Sequence, residues 1–330
     1  MPTVRAATPE DIPALVAILM QDAEARHAVD PILWRMAGDA PAQVEAALRA
    51  ALGDGPQPVR QFWRLSEEDG RVTGVVHAML LPVPPIYAGR QGEPGLILAD
   101  SAVVPGAPEG TVDALVAAAE QALREAGARI LLATHVTGAA WQAGLQARGY
   151  AALTLYLSRS DPGDAEASPG IRAAGAEDIA GIVALAAENK RILSEIDLFW
   201  ERHPEADVRF AAWMRRSLTL GDRDMLVMGP EGELSGYAIA QPASRLHFPP
   251  AHDIRGTGVI DDYYHRELAD VETLDESGSG ATALLRAAEA ALAARGVGAV
   301  FVVCPAGWRS KIAMLEAAGY ETAMVWSIRR

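Results

Sequence analysis

Apolar residues recur at helical spacing in two stretches of the chain, each running from a glycine-bearing loop to a short apolar strand. In the later stretch, Asp275 to Cys304, the periodicity predicts an amphipathic helix that ends at Gly296 and a buried strand over residues 299–303. The earlier stretch, Gly110 to Val136, repeats this plan. The predicted core-facing residues are Leu284, Leu285, Ala288 and Leu292 in the later helix and Leu115, Val116, Ala119 and Leu123 in the earlier one. Each loop leads to a helix start, where free backbone N–H groups favour an anion, so both stretches are candidate phosphate sites.

Other segments also occur twice, in the same order, and indicate a tandem duplication. Residues 4–18 and 171–185 share an Arg-Ala-Ala start followed by an acidic helix beginning. The remaining pairs are Ile32-Leu33-Trp34 with Leu198-Phe199-Trp200, Asp69-Gly70 with Glu231-Gly232, Pro84-Pro85 with Pro249-Pro250, and Gly149-Tyr150 with Gly319-Tyr320. Because solenoid repeats are much shorter than these copies, the pattern favours a duplicated domain over a solenoid.

The segment between the copies is rich in proline, glycine, serine and acidic residues, which is typical of an exposed linker. We therefore predict an N-terminal domain over residues 1–160, a linker over 161–170 and a C-terminal domain over 171–330. Each copy reads as a strand, one or two helices, a strand hairpin with a further strand, and then helix, strand, helix and strand. This order predicts an α+β fold in which each domain is a mixed β-sheet flanked by helices.

Composition narrows the classes of partner. The 330 residues carry a formal net charge of -14 without a concentrated basic face, which argues against nucleic acid and favours cationic or neutral partners. Cys304 is the only cysteine, so we expect no intrachain disulfide, a packed thiol and a cytoplasmic location. The sequence shows no apolar run long enough for a membrane span and no leader-like start, so we expect no membrane association.

The order of elements resembles the GNAT N-acetyltransferase superfamily over nearly the whole chain, as two copies. In that family an Arg/Gln-x-x-Gly-x-Gly/Ala loop binds the pyrophosphate of acetyl-CoA through backbone amides. The resemblance therefore implies acetyl-CoA as co-substrate. It also implies that one half can be active while the other is not, as is common in tandem members such as the mycothiol synthases.

The matching positions are the implied cofactor-binding residues. They are Gly278, Ser279, Gly280 and Ala281 in the second copy and Val104, Gly106, Gly110 and Thr111 in the first. The sequence departs from the family pattern beside both loops, where Pro108 and the acidic Glu276 stand in place of the cationic or amide side chain. It departs again where many members carry a tyrosine that protonates the leaving thiolate, since those positions hold Leu145 and Leu315.

The strand predicted over Val259 to His265 is the richest in acid-base groups. Acetyl transfer to an amine requires a base, an oxyanion donor and close positioning of the reactants. The candidate catalytic residues are Asp261, Asp262, Tyr263 and Tyr264, with the two aspartates on opposite faces of the strand. The corresponding segment of the first copy, residues 96–103, offers Asp100 and Ser101.

Two neighbouring segments allow both a functional and a structural interpretation. Carboxylates crowd the stretch from Asp261 to Glu276, where they would attract a cationic amine if they lined a cleft, or form a solvated acidic loop. Aromatic residues of the segment 197–216 fall where the family binds its acceptor, although such residues at helical spacing are more often core: Phe199, Trp200, Phe210 and Trp213. The histidines have no metal-ligand spacing, so no metal site is predicted.

The leading hypothesis is an acetyl-CoA-dependent N-acetyltransferase that moves an acetyl or short acyl group to an amine of a small molecule by direct attack. The alternative is a catalytically degenerate GNAT-fold protein that binds a small ligand or a partner. Two fused copies are compatible with a monomer or a homodimer.

Overall fold

The computed structural model describes residues 2–162, 169–274 and 278–330. Most of the predicted linker, and the loop acids Asp275 and Glu276, lie outside the described residues. The strands are β1 (Thr3–Ala6), β2 (Gln61–Glu68), β3 (Arg71–Leu80), β4 (Gly95–Ile97), β5 (Ala102–Val103), β6 (Leu131–Val136), β7 (Ala151–Ser160), β8 (Ile171–Ala173), β9 (Asp224–Met228), β10 (Gly236–Pro242), β11 (Thr257–His265), β12 (Ala299–Pro305) and β13 (Glu321–Arg329). The helices are α1 (Ile12–Val29), α2 (Ala40–Leu52), α3 (Thr111–Glu125), α4 (Ala140–Ala147), α5 (Ile179–Ile196), α6 (Ala206–Ser217), α7 (Ser279–Ala294) and α8 (Arg309–Ala317).

The elements repeat in the predicted order, β1 to β7 forming the first half and β8 to β13 the second. The repeated start is built alike in both, because Arg5 pairs with Asp11 and Arg172 pairs with Asp178, each at 2.7 Å. The predicted fold class, a mixed sheet flanked by helices in each half, is confirmed. Within the described ranges, none of the helices combines the length and apolar character that a membrane crossing needs.

The sheet is continuous across both halves, with its last strands exchanged. From one edge the order is β1-β2-β3-β4-β6-β13-β7-β12-β11-β10-β9-β8, and β5 pairs with β3. The last strand of the first half, β7, thus pairs with β12 and β13, whereas β13 pairs with β6 and β7. Each half therefore completes its sheet with the final strand of the other half.

A buried ion pair fixes each exchanged strand to the half that receives it. Arg159 on β7 lies 3.3 Å from Glu289 on α7, and Arg329 on β13 lies 2.6 Å from Glu120 on α3. Both glutamates are nearly or fully buried. A buried carboxylate is costly without its partner, so each pair ties the register of the strand to the facing helix.

The loops that precede β4 and β11 are exchanged as well. In the loop of residues 81–94, the amide of Ala88 donates to Glu201 of the second half at 2.7 Å. In the loop of residues 243–256, Ala251 accepts a hydrogen bond from the amide of Ala37 in the first half at 2.9 Å. Each half is thus covered in part by a loop of the other, and we call residues 81–94 the roof loop.

Leu157 on β7 tests how strongly the exchanged strands couple the halves. Its side chain is fully buried in a core whose other buried members come from the second half. Leu157→Ala should lower the free energy of unfolding by about 2–5 kcal/mol. Because the sheet is shared, we expect urea denaturation to remain one transition, with coincident circular dichroism and tryptophan fluorescence.

The control is Val208→Ala on α6, whose side chain is 73% exposed and should change stability by less than about 0.5 kcal/mol. A separate early transition of one half in the Leu157 variant would contradict the coupling.

Candidate active site

A cavity of 960 Å³ lies between the two halves, on one face of the shared sheet. We call it the inter-half cavity; its walls come from the loop 81–94, residues 198–201 and 244–247, and from α5, α8, β7 and β10–β13. The roof loop and β7 belong to the first half, and most of the remaining wall belongs to the second. Neither half by itself encloses this space.

Asp261 and Asp262, which we call the acid pair, lie on the wall of this cavity. The parallel ladder between β11 and β12 ends at Ile260 and Val302, and the two strands separate beyond that point. The ladder between β10 and β11 shifts register just there, and Asp262 has a positive φ of 44°. This irregularity brings Asp261, Asp262 and Tyr263 to the cavity wall together instead of alternating strictly between faces.

The carboxyl of Asp261 has a raised pKa, which suits a candidate base. Burial raises the pKa of its carboxyl to about 6, and the neighbouring charge of Asp262 adds to the rise. The side chain is accessible to water inside the cavity although protein surrounds it.

The two lysines of the chain converge on the acid pair, which sequence reasoning missed. Lys311 on α8 lines the cavity and donates its Nζ to the carbonyl of Tyr263 at 2.7 Å. Lys190 on α5 is 2% exposed and lies 3.5 Å from the ring centroid of Phe210. Burial lowers the pKa of both amines, while the charges of Asp261 and Asp262 oppose that shift. The signal in the sequence was the rarity of lysine, because every other long cationic side chain is an arginine.

The two tyrosines of the predicted catalytic strand have structural partners. The Tyr263 hydroxyl donates to the carbonyl of Ala281 at 2.6 Å, and the Tyr264 hydroxyl donates to Glu188 at 2.8 Å. Tyr87 and Tyr156 also line the cavity near the acids. Burial raises the pKa of both phenols, and the charge of Asp261 contributes to each rise.

The aromatic segment divides between cavity and core. Phe199 and Trp200 line the cavity, and Tyr87 of the roof loop lies 5.4 Å from the Trp200 ring. Phe210 is buried beneath Lys190, and Trp213 is 42% exposed. Cys304 is fully buried, and burial raises the pKa of its thiol to about 12, as suits the predicted packing residue.

The phosphate loop proposed for the second half already has an anion at its helix start. The side chain of Glu267 accepts hydrogen bonds from the amides of Gly280 at 3.1 Å and Ala281 at 2.8 Å. Gly278 precedes them in the left-handed conformation, and Ser279 begins α7. A phosphate bound to these amides would therefore have to displace the Glu267 carboxylate.

The corresponding loop of the first half has a more open helix start. Gly106 and Gly110 have positive φ, and a Cβ added at either would meet nothing within 4 Å. The Thr111 amide donates to the carbonyl of Pro108, and Val104 donates to Thr73. Among the described side chains, none accepts a hydrogen bond from the first amides of α3.

The first half has its own His–Asp pair beside a smaller cavity of 470 Å³. His77 Nδ1 lies 2.8 Å from Asp100, and its Nε2 lies 2.9 Å from the side-chain oxygen of Gln61. Ser101 donates to Leu98 and accepts from the His77 amide. Since both ring nitrogens are engaged, this pair has no free nitrogen for a substrate proton. In the larger cavity, the carboxyl groups on the wall are instead those of the second half, Asp261 and Asp262.

Solved structures with the same fold exist. A GCN5-related N-acetyltransferase from Sphaerobacter thermophilus is 18% identical, with 99% of this chain and 95% of that chain aligned at a TM-score of 0.58. A tandem GNAT protein from the clavulanic acid biosynthesis pathway, solved without AcCoA, is also 18% identical, with 100% and 98% aligned at a TM-score of 0.51. No protein-family model and no curated protein sequence matches the chain. The tandem GNAT fold is thus confirmed, and a fold by itself does not fix a reaction.

The pKa of Asp261 predicts a pH dependence of stability. Because the folded-state pKa of about 6 exceeds the ordinary value of 3.8, the folded protein binds the proton more tightly than the unfolded chain. The contribution of Asp261 to stability is therefore favourable at low pH and is lost as the pH rises through this window. We expect Asp261→Asn to gain stability relative to the wild type between pH 4 and pH 7 in urea denaturation.

Asp253 provides a control of opposite sign, because hydrogen bonds from Arg255 lower its pKa to about 2. Asp253→Asn should be less stable than the wild type, by a nearly constant amount between pH 5 and pH 7. A constant difference for the Asp261 variant as well would contradict the raised pKa.

Proposed function

We propose that the chain is an acyl-CoA-dependent N-acyltransferase that acylates an amine of a small molecule bound in the inter-half cavity. One observation carries the proposal: Asp261, a carboxyl with a raised pKa, lines a large cavity at the point where β11 and β12 separate. A base near its pKa at neutral pH suits proton removal from an ammonium group. The acid pair also favours a cationic or neutral acceptor over an anionic one.

In the proposed reaction, Asp261 takes a proton from the bound ammonium, directly or through water. The free amine attacks the thioester carbonyl, a C–N bond forms, and the C–S bond breaks to release the thiol of CoA. The tetrahedral oxyanion needs a hydrogen-bond donor, which backbone N–H groups of β11 offer where its ladder to β12 has ended. Asp261, protonated in the first step, then returns that proton to the departing thiolate. The nitrogen of the tetrahedral intermediate loses its second proton to water in the cavity as the amide forms, so the net reaction releases one proton.

The proton route replaces the tyrosine that many family members use. Leu315 stands at that position in the second half, and the hydroxyls of Tyr263 and Tyr264 are held by Ala281 and Glu188. The roles of general base and general acid thus both fall to Asp261 in this proposal. Lys311 adds a positive charge on the cavity wall near the developing negative charge.

The fit of the acyl donor differs between the halves. In the second half, Glu267 occupies the amides that would hold pyrophosphate, so donor binding requires this carboxylate to move away. In the first half, the loop of Gly106 to Thr111 has room for phosphate, but the adjoining His77–Asp100 pair has no free base. The donor is proposed to bind to the second half because only there would its acyl group meet Asp261.

The Glu267 contact favours a second candidate function. A carboxylate fixed on the phosphate amides is what a half that has lost CoA binding would show. In that case the cavity would bind a small polar ligand without acyl transfer. Binding of the donor decides between the two functions.

Asp261→Asn should lower the rate of thiol release with acetyl-CoA and a reactive amine by about 10²–10⁴-fold, because the base is lost and the shape is kept. In the wild type, the rate should rise with pH through about 6, as Asp261 loses its proton. Thiol release across a panel of small amines is the measurement.

The matched control is Asp100→Asn in the first half, which should retain the wild-type rate if the second half is the active one. An unchanged rate in the Asp261 variant would exclude this residue as the base.

Glu267→Gln should strengthen acetyl-CoA binding, measured by calorimetric titration, by at least about fivefold, because one negative charge leaves the phosphate amides. If the wild type binds acetyl-CoA and the variant binds it equally well, the phosphates bind away from α7. If neither protein binds acetyl-CoA, acyl transfer from CoA is excluded and the ligand-binding function remains.

A further inference from the structure

The two exchanged strands present a pair of polar side chains to the inter-half cavity. Thr154 on β7 is directly opposite Trp326 on β13 in the antiparallel register, so their side chains project from the same face of the sheet. Thr154 is 1% exposed and Trp326 is 7% exposed, and both line the cavity. Neither Thr154 Oγ1 nor Trp326 Nε1 has a hydrogen-bond partner among the described residues.

Buried polar atoms without partners are uncommon in folded proteins, and each calls for a physical reason. Asn189 Oδ1 on α5 and Trp200 Nε1 are likewise unpartnered at this cavity. Their concentration around one space indicates a wall whose hydrogen bonds are completed from within the cavity, by water or by a bound molecule that replaces it. An indole N–H can only donate, so Trp326 requires an acceptor atom on that molecule.

The cationic side chains of the cavity wall already form ion pairs or hydrogen bonds with other groups. Arg90 pairs with Glu201 at 2.5 Å, Arg330 pairs with Asp197, and Lys311 donates to the Tyr263 carbonyl. A carboxylate or phosphate at the Thr154–Trp326 pair would therefore meet neutral donors alone. Its desolvation would go uncompensated, so an uncharged acceptor oxygen fits this pair better.

The pair is separated from the acid pair by a fixed number of strands. Thr154 on β7 is opposite Pro305 on β12, and β12 in turn pairs with β11, which carries Asp261. Since adjacent strands lie about 4.8 Å apart, Thr154 is at least about 10 Å and Trp326 at least about 14 Å from the acid pair across the sheet. Aliphatic and aromatic side chains line the space between them, including Tyr156, Leu246 and Val303.

We propose that the inter-half cavity takes an elongated acceptor with an amine at the acid pair, an apolar middle, and an uncharged carbonyl or hydroxyl oxygen bound by Thr154 and Trp326. This inference rests on the proposed amine acceptor and adds the second recognition point. Thr154 and Trp326, which bind the oxygen, belong to the exchanged strands β7 and β13. The acceptor therefore contacts residues of both halves.

Matched amines test the proposal by calorimetric titration of the full chain. The probes are 8-aminooctanamide, which has an uncharged oxygen at a comparable distance, octylamine, which lacks it, and 8-aminooctanoate, which has a charged one. The amide should bind about tenfold more tightly than octylamine, because it gains hydrogen bonds at buried donors, and also more tightly than the carboxylate.

Thr154→Val keeps the side-chain shape and removes the hydroxyl, and Trp326→Phe keeps an aromatic ring and removes the indole N–H. Each should reduce the advantage of the amide over octylamine to less than about threefold, while leaving octylamine binding unchanged. Thr134→Val is the matched control, since Thr134 is opposite Trp326 on its other side but does not line the cavity. Thermal melting monitors folding of all variants.

Equal affinity of the wild type for the amide and octylamine, or an advantage that survives in both variants, would overturn the proposal, as would no measurable binding of the amide. Asp261→Asn separates this result from the proposed chemistry. It should lower the rate of thiol release by about 10²–10⁴-fold, yet the advantage of the amide over octylamine should persist. If the amide keeps its advantage over octylamine but the wild-type protein shows no acyl transfer, the recognition site is supported and the proposed reaction is rejected.

Discussion

The exchange of β7 and β13 is the constraint on which the rest of the structure depends. Each strand enters the sheet of the other half and is held there by a buried ion pair, Arg159 with Glu289 and Arg329 with Glu120. Moving either strand back to its own half would leave a buried carboxylate without one of its arginines and expose a strand edge. The halves therefore share one sheet, and the space between them is enclosed by both.

This sharing explains why the two halves, alike in plan, differ in their cavities. The loop 243–256 brings Phe248 against Trp34, with ring centroids 5.3 Å apart, and the first-half cavity is the smaller. The loop 81–94 instead lies over the larger cavity beside Asp261. In the parallel registers, Gly95-Leu96-Ile97 corresponds to Gly258-Val259-Ile260, so Leu98 stands where the second half has Asp261. The second half thus carries the acids Asp261 and Asp262, and the first half supplies the loop 81–94 that lies over the cavity beside them.

Several features of the site could be predicted from sequence, and the reasons are local. Asp261 and Asp262 were accessible to prediction because a strand with adjacent acids is unusual in an apolar run, and the structure brings both to the cavity wall. The roles of the lysines, of Tyr87 and of Glu267 were not accessible. Each depends on residues distant in the chain: Lys311 meets Tyr263 through α8, Tyr87 arrives with the roof loop, and Glu267 reaches the amides of α7.

The sequence by itself determined the duplication, the order of elements and the α+β class, because helix and strand periodicity and turn residues are properties of neighbouring positions. Tertiary structure decided which copy each final strand joins, since β7 and β13 carry similar patterns and either could satisfy a sheet edge. It also decided that Thr154 and Trp326 face each other, and that an internal carboxylate occupies one of two similar helix starts. These outcomes depend on pairing between distant segments, which no local pattern specifies.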